Sequence, residues 1–519
     1  MTTLATPSSP STPQPHPGGG LWSWITTTDH KKIGMMYMIT TVFFFLVGGL
    51  MALVIRSQLA TSESDLVSQD FYNQIFTMHG TTMIFLFVIP AGAGLGNYVV
   101  PLMIGARDMA YPRINALSFW LIPLGAALMY SAFLFGGAAD AGWTSYTPLS
   151  REEFSSGPGI DLWIMGLQVL GISSIGGAVN FIVTMLTMRA PGMKLHRMPI
   201  FCWTILVTSL LVLAATPVFA SVLALLFADR YLDTDFFNAA EGGNPLLWQH
   251  LFWFYSHPAV YVMILPAMGV VSEVLPVFAR KPLFGYRAVA YSSVAIGVYG
   301  FTVWMHHMFT TGLSVPLTLF TMATTMVIAV PSGVKMFNWI ATLWGGQIRF
   351  TAAMLFAIGF LAMFLIGGVD GVFNAIVPVD YAINDTYWQV AHIHYVIFGG
   401  SVFGIFAAIF FWFPKMTGKF LDEGLGKLHF ALMFIGMNLA FMPMHFLGIA
   451  GMPRRIATYQ GGQGWETLNL ISTIGAFLIA TSILIFLFNF FKSLMGPKIA
   501  ADDPWEGNTL EWATTSPPP

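Results

Sequence analysis

Cysteine is all but missing from this sequence: Cys202 is the single thiol in 519 residues. One thiol cannot close an internal disulfide, and it cannot furnish the paired thiolates of a metal cluster. Charge is nearly as scarce. Asp, Glu, Lys and Arg together make up 9% of the chain, where an ordinary soluble domain carries about 25%. That excludes a water-soluble globular protein, and no nucleic-acid partner is expected. The net charge of -2 says little, because where the charges sit matters more than their sum. Residues 1–27, rich in Pro, Ser, Thr and Gly, lack the basic start and apolar core of a signal peptide and read as a disordered tail.

What the chain does have is apolar surface. Hydrophobic residues make up 56% of it and the mean hydropathy is +0.70, so the reading is an all-α integral membrane protein. Apolar segments lie near 34–55, 75–99, 114–136, 160–187, 200–228, 245–271, 286–307, 312–330, 351–369, 388–414, 428–448 and 467–491. Each is about the 20 residues a helix needs to cross the hydrocarbon core. The expected organisation is a tail over 1–27, a twelve-span domain over 28–492 and a C-terminal tail over 493–519.

The basic residues test that count. If the spans alternate, Lys31, Lys32, Arg107, Arg113, Arg189, Arg280, Lys335, Lys415 and Lys492 fall on one side. Glu152, Glu153, Asp229, Asp233, Asp370, Asp380 and Asp385 fall on the other. By the positive-inside rule both termini are expected to be cytoplasmic. Arg454-Arg455 breaks the pattern and needs a local reason.

Histidines inside these spans carry the chemistry. In Val390-Ala391-His392-Ile393-His394-Tyr395 the two imidazoles are two residues apart, so about 200° of helix turn sends them to nearly opposite flanks. They cannot readily share a metal, but each can serve a different one. His79 stands in the second span. Gly92, Gly94 and Gly96 beyond it would let a neighbouring helix or a large flat ligand come close. His257 and Tyr261, four residues apart in the sixth span, share a face. Adjacent His306 and His307 at the end of the seventh suit two ligands closing on one metal, with His257 the natural third. Three imidazoles with an open position select a transition metal. Asp108, Asn97, Asn115, Ser173, Ser174 and Asn180 are polar groups that could pass protons inward from one face. Lys335 either snorkels to water or serves a buried target, and Tyr261 could be that target. The paired arginines suit carboxylates of an inserted cofactor.

Taken together these motifs closely resemble subunit I of the haem-copper terminal oxidases, in the proton-pumping cytochrome c oxidase branch. The match runs from Asp29-His30-Lys31-Lys32-Ile33-Gly34 through His257-Pro258, Val260-Tyr261, His306-His307-Met308-Phe309 and Gly333-Val334-Lys335 to Arg454-Arg455. The resemblance implies twelve helices arranged around haem and copper sites. It implies His79 and His394 as axial ligands of a low-spin haem, and His392 as the proximal ligand of a high-spin haem. His257, His306 and His307 become the copper ligands, and Tyr261 the tyrosine covalently joined to His257. Arg454 and Arg455 would pair with haem propionates, Arg56 would lie near the low-spin haem, and Trp253 is counted with the cofactor-contacting residues. Asp108, Asn97, Asn115, Ser173, Ser174 and Asn180 match one proton pathway. Ser272, Ser332, Thr325 and Lys335 match a second, leading to Tyr261.

The departures from the common pattern are informative. Ser256 and Ala259 stand where many relatives have Gly and Glu around the copper histidine, so Tyr255 and Ser256, with water, must carry protons if the first route is used. Asn384 replaces a metal-binding His while Asp385 remains, which leaves a magnesium or manganese ion near Asp385 as the expectation. Gln58 replaces a Glu of a calcium or sodium site. The implied cofactors are two haems, expected to be haem A, and one copper. The implied partners are a second subunit bearing a dinuclear copper site, a third subunit and a small fourth, cytochrome c or a fused c-type domain, and dioxygen. The implied location is a bacterial plasma membrane, with a photosynthetic internal membrane as the other possibility.

Three other readings meet obstacles in the sequence. A quinol oxidase would place Arg and Asp in the first span, but no charge lies between Gly34 and Ile55. A nitric oxide reductase would lack Tyr261 and the Lys335 route. A twelve-helix transporter does not need six histidines disposed as three ligand sets.

Overall fold

Among the described residues of the computed structural model, twelve helices are long and apolar enough to cross a membrane. Residues 20–497 and 500–519 are described; the expected N-terminal tail lies outside them except for its last residues, where Leu21–Ile25 forms a short helix. The spans are His30–Gln58, Gln69–Ile104, Pro112–Leu134, Gly159–Thr187, Ile200–Tyr231, Pro245–Ala279, Tyr286–Thr311, Val315–Leu343, Ala352–Ala375, Tyr387–Thr417, Glu423–Ile449 and Glu466–Met495, numbered 1 to 12 below. Among the described residues, β-structure is confined to an isolated bridge between Thr386 and Pro453. An even count puts the starts of spans 1, 3, 5, 7, 9 and 11 on one face, the terminal face. The opposite face is called the far face.

Polar side chains fix where several helices start. Asp29, Ser68, Asn244, Thr351, Thr386 and Asp422 each accept a hydrogen bond from a main-chain N–H of the first turn, satisfying a donor that would otherwise be orphaned. Spans 2, 6 and 10 form the centre. The share of the apolar stretch buried inside the protein is 83%, 83% and 78% for these three, against 17% for span 8 and 22% for span 1. The glycines of span 2 serve helix contact. A Cβ on Gly92 would lie 3.1 Å from Pro266 of span 6, one on Gly94 2.7 Å from Tyr37 of span 1, and one on Gly96 2.9 Å from Phe181 of span 4.

Three spans depart from the simple rods expected, and all three carry histidines. Span 2 contains a π-helical stretch over Thr82–Val88, just after His79, and span 10 contains another over Ile397–Val402, just after His394. Such bulges are frequent at functional sites. Span 7 breaks after Tyr299 and resumes as the 3-10 turns Trp304–Thr311, which hold His306 and His307.

Span 9 runs on to Ala375, so Asp370 sits inside the helix, beyond the 351–369 segment expected from sequence. Its carboxylate lies 2.9 Å from Nε2 of buried His445 in span 11, a partner that makes a charge tolerable there. The C-terminal segment is docked: Lys415 donates to the carbonyls of Asp502 and Thr514, and Glu511 and Trp512 are buried. Burial and the loss of hydration raise the Glu511 carboxyl to about 7.

Candidate metal centre

His79 and His394 face each other across spans 2 and 10, ring centres 6.4 Å apart and planes 11° apart. Each has its Nδ1 against a main-chain carbonyl, Gly48 at 2.9 Å and Val390 at 2.7 Å. A carbonyl only accepts. Both Nδ1 atoms therefore carry the proton, and both Nε2 atoms keep a free lone pair for a metal. An atom held between two imidazole nitrogens at about 2 Å from each would set the ring centres roughly 6 to 6.5 Å apart. The spacing fits a metal with two axial imidazoles.

His392 turns the other way on the same helix. A Cβ on Gly371 of span 9 would meet its Cε1 at 3.3 Å, whereas His394 lies against Phe441 of span 11, ring centres 4.2 Å apart. Nδ1 of His392 is buried with no side-chain hydrogen-bond partner. The opposite flanks read from the i, i+2 spacing are thus the flanks the fold uses.

The third set is a triad. His257 Nδ1 lies 3.2 Å from His307 Nε2, and His306 Nε2 lies 3.0 Å from the same atom. Lone pairs turned on one another at this distance repel unless a cation or a proton stands between them. Among the described residues this is the one group of three or more His, Cys, Asp or Glu side chains with ligand atoms close enough to share an ion. Imidazole donors fit copper, zinc or iron and not calcium or magnesium. Thr325 of span 8 lies 3.0 Å from His306 Nδ1, and the Trp253 ring lies 3.6 Å from the His307 ring at 9°. Tyr261 stands 4.8 Å, centre to centre, from His257, whose Nε2 is buried and unpartnered.

The arginines differ in what they lack. Arg56 donates through one terminal nitrogen to Asn469 and Thr473, while its Nε and other terminal nitrogen are buried without partners. Arg454 is paired with Asp385 and keeps a free buried Nε. Arg455 reaches Thr144 at 3.3 Å; burial, with Arg454 beside it, lowers it to about 10, so it stays charged at neutral pH. Unpartnered buried guanidinium donors are costly. They fit carboxylates of an inserted cofactor.

Asp385 is engaged by Arg454 and belongs to no described cluster of metal-ligating side chains. Its neighbour Asp380, on the short helix Val377–Ile383, is 2% exposed, and burial raises its carboxyl to about 7. Between the ordinary 3.8 and about 7 the folded protein holds a proton there that the unfolded chain has released. The contribution favours folding below 3.8 and is lost as pH rises through about 7, at up to about 1.4 kcal/mol per pH unit. Thermal melts between pH 4 and 8 should therefore show a falling limb that Asp380→Asn flattens. An unchanged pH slope in that variant would refute the assignment.

Two sets of polar groups approach this region from the terminal face. A cavity of about 80 Å³, room for several waters, is lined by Asn97, Ser173, Ser174 and Tyr255 of the expected first route. Sequence reasoning missed Thr208, Ser209 and Thr216 of span 5, which line it too; their only sequence signal is a scatter of hydroxyls along an apolar span. Tyr255 stacks on Phe219 at 4.3 Å. Ser256 is not among the lining residues, and its Oγ is buried without a partner. Asp108, half-buried, accepts from its neighbour's N–H. Asn115 is buried, and both amide groups of Asn180 are taken by the main chain of Tyr111.

On the second route, Lys335 is fully buried and does not snorkel. Its ammonium donates to Ser293 Oγ at 2.6 Å and to the Val289 carbonyl at 3.2 Å. Ser272 accepts from Trp339, and Ser332 donates to Ile328. Thr325, of the same expected route, lies against His306 and donates to the Thr321 carbonyl.

Comparison with known proteins agrees with the geometry. The family described as "Cytochrome C and Quinol oxidase polypeptide I" matches residues 32–478. A protein named cytochrome c oxidase subunit 1 from Thermostichus vulcanus is 55% identical over 502 residues, covering 96% of this chain and 90% of that protein. One of the same name from Synechocystis is 56% identical, covering 94% and 88%. A heme-copper terminal oxidase dimer solved by cryo-EM superposes with a TM-score of 0.78 over 91% of this chain and 85% of that one, at 20% identity, and so shares the fold.

Proposed function

Because this chain belongs to the cytochrome c and quinol oxidase polypeptide I family, we propose that it takes electrons from a cytochrome c, reduces dioxygen to water and moves protons across the membrane as it does so. It is the catalytic subunit of a haem-copper oxidase of the cytochrome c oxidase type, embedded in a membrane by twelve spans. The observation that carries the finer reading is the triad of His257 Nδ1, His306 Nε2 and His307 Nε2, set on the far-face side beside the opposed His79 and His394.

When bound, two haems and a copper ion supply the redox chemistry of oxygen reduction. The residues divide the work. His79 and His394 would hold one haem between them, and with both imidazoles engaged that group would serve to relay electrons. His392 would hold the second haem. His257, His306 and His307 would hold copper, and three protein ligands are the number that catalytic metal sites use when they keep a position for substrate. Arg56, Arg454 and Arg455 anchor propionates, and Trp253 braces His307. Tyr261, proposed to be joined to His257, would hold at its hydroxyl a proton for the oxygen chemistry.

Lys335, with Thr325, Ser332 and Ser272, delivers protons toward Tyr261. The cavity between Asn97 and Tyr255 delivers protons from Asp108. There Asn115, Asn180, Ser173 and Ser174 shape the route, and Tyr255 takes the place of the carboxylate that Ala259 cannot supply. The cavity lining makes Tyr255 the more important member of the Tyr255-Ser256 pair. Tyr255→Phe should lower proton translocation about tenfold or more, measured as acidification around vesicles pulsed with reductant, while Ser256→Ala has little effect. The reverse ranking would put the route elsewhere.

The chain's single thiol is buried, which is why a partner subunit with a dinuclear copper site is proposed to pass electrons in. A third and a small fourth subunit, haem A, a magnesium or manganese ion completed at Asp385 by a partner's ligands, and a bacterial membrane with both termini cytoplasmic complete the proposal. Any calcium or sodium site would have to do without the missing Glu, since Gln58 instead bonds Ser64, Ala457 and Val67. The test is stoichiometric. The purified complex should yield two haems, read as A-type pyridine haemochromes, with one copper assignable to this subunit, and should oxidise cytochrome c in preference to quinol. Non-haem iron without copper, or quinol preference, would overturn it.

A further inference from the structure

The far-face segment 135–158, between spans 3 and 4, touches the surroundings of two of the sets described above, the His79–His394 pair and the His257–His306–His307 triad. Against span 2, the Ala138 N–H donates to Gln74 Oε1 at 3.0 Å, and the Gly142 N–H to Thr77 Oγ1 at 2.8 Å. Trp143 lies so close to Gly80 that a Cβ there would sit 3.2 Å from it. Thr77 and Gly80 flank His79. Against span 6, Trp248 donates to the Thr144 carbonyl at 3.0 Å, and Trp253 donates to the Tyr146 hydroxyl at 2.5 Å. Against the far-face loop after span 11, Thr144 Oγ1 receives Arg455.

One residue closes this segment from its outer end. Arg230, 6% exposed at the end of span 5, uses every donor it has. Nε bonds Asp161 Oδ1 at 2.5 Å, one terminal nitrogen bonds the carbonyls of Ser150 and Ser155 at 2.9 and 3.1 Å, and the other bonds the Gly157 carbonyl at 3.1 Å and Asp161 Oδ2 at 3.2 Å. A guanidinium has five N–H donors, and all five are placed. Tyr231 also donates to Asp161 at 2.8 Å. Arg230 is thus the opposite of Arg56 and Arg454, whose free donors fit a ligand: nothing is left over here for one. A saturated, buried guanidinium–carboxylate pair fixes geometry; it does not bind.

We propose that Arg230 and Asp161 are positioning residues for the His257–His306–His307 site. They hold segment 135–158 as a strap, so that Tyr146 fixes the Trp253 ring against His307. The chain of contacts is continuous: Arg230 to the Ser150 and Ser155 carbonyls, along the strap to Tyr146, from its hydroxyl to the Trp253 N–H, and from that ring 3.6 Å to His307. Groups that orient metal ligands from behind tune affinity without touching the metal. The inference rests on the triad being a copper site.

The test uses the purified complex and copper affinity, measured by competition with a chelator, together with hydrogen exchange over 135–158. Arg230→Lys keeps the charge but has three donors and no planar fork. Tyr146→Phe cuts only the inner link. Each should weaken copper retention by about tenfold, and the double variant should be no weaker than either alone, because both act through one chain of contacts. Exchange over the strap should rise in Arg230→Lys and stay low in Tyr146→Phe. If the unaltered complex binds no copper, the site reading itself fails. If it binds copper but Tyr146→Phe retains it fully, or if the two effects add, the strap proposal is wrong. Tyr146→Phe decides the matter even if Arg230→Lys does not assemble.

Discussion

Replacing His306 with Ala should empty the triad of copper and lower oxygen consumption by more than roughly 100-fold, while the absorption of the haem proposed between His79 and His394 remains. The reasoning is geometric. His306 Nε2 lies 3.0 Å from His307 Nε2, which lies 3.2 Å from His257 Nδ1, and the ligand atoms of the three all fall within 4.8 Å of one another; two imidazoles cannot hold a metal as three do. The opposed His79 and His394 lie on spans 2 and 10, whereas His306 lies on the 3-10 turns that end span 7. The substitution also strands the Thr325 hydroxyl's contact, although Thr325 still donates to the Thr321 carbonyl at 2.6 Å, so the fold has little to lose. Elemental analysis of copper against extracted haem, with a reduced-minus-oxidised spectrum, gives the result in one preparation. Retained copper with full oxygen turnover would sink the assignment of His306.

Lys335→Met should produce the second large effect, with stability and activity moving apart. The ammonium is fully buried in an apolar span with two acceptors, Ser293 and Val289, and no carboxylate partner. Keeping a cation there costs desolvation free energy that Met, of similar length, does not incur. Neither acceptor is left bare, because Ser292 and Ser293 also donate to the Val289 carbonyl. Thermal stability should therefore hold or rise. Steady-state oxygen consumption should drop by about 100-fold or more, with haem and copper content unchanged, because the side chain proposed to carry protons toward Tyr261 is gone. A variant that turns over near the normal rate would remove Lys335 from the mechanism. One that loses metal would show instead that the lysine is structural.

The two arginine classes show where sequence reading stops. Arg56, Arg230, Arg454 and Arg455 all lie near the far ends of apolar spans or in the loops between them, and as sequence they differ only in context. Counting their placed donors separates them: Arg230 has every donor satisfied, whereas Arg56 and Arg454 keep buried donors free. The same limit hid Thr325 behind His306, Ser293 beside Lys335, the hydroxyls of span 5 in the cavity, and His445 opposite Asp370. Each of these contacts joins different spans, and local periodicity carries no information about which spans become neighbours.

By itself the sequence determined the twelve spans, because length and apolarity are set by the thickness of a hydrocarbon layer. It also determined the opposite flanks of His392 and His394, because a helix turns by a fixed angle per residue. Only the tertiary structure decided that His257, His306 and His307 put three particular nitrogens at one point, and that His79 stands 6.4 Å from His394. It also decided that a π-helical stretch follows the ligands of spans 2 and 10, and that span 7 breaks before its own. Helix register and packing against a neighbour set those outcomes, and both are properties of the assembled bundle that no single span contains.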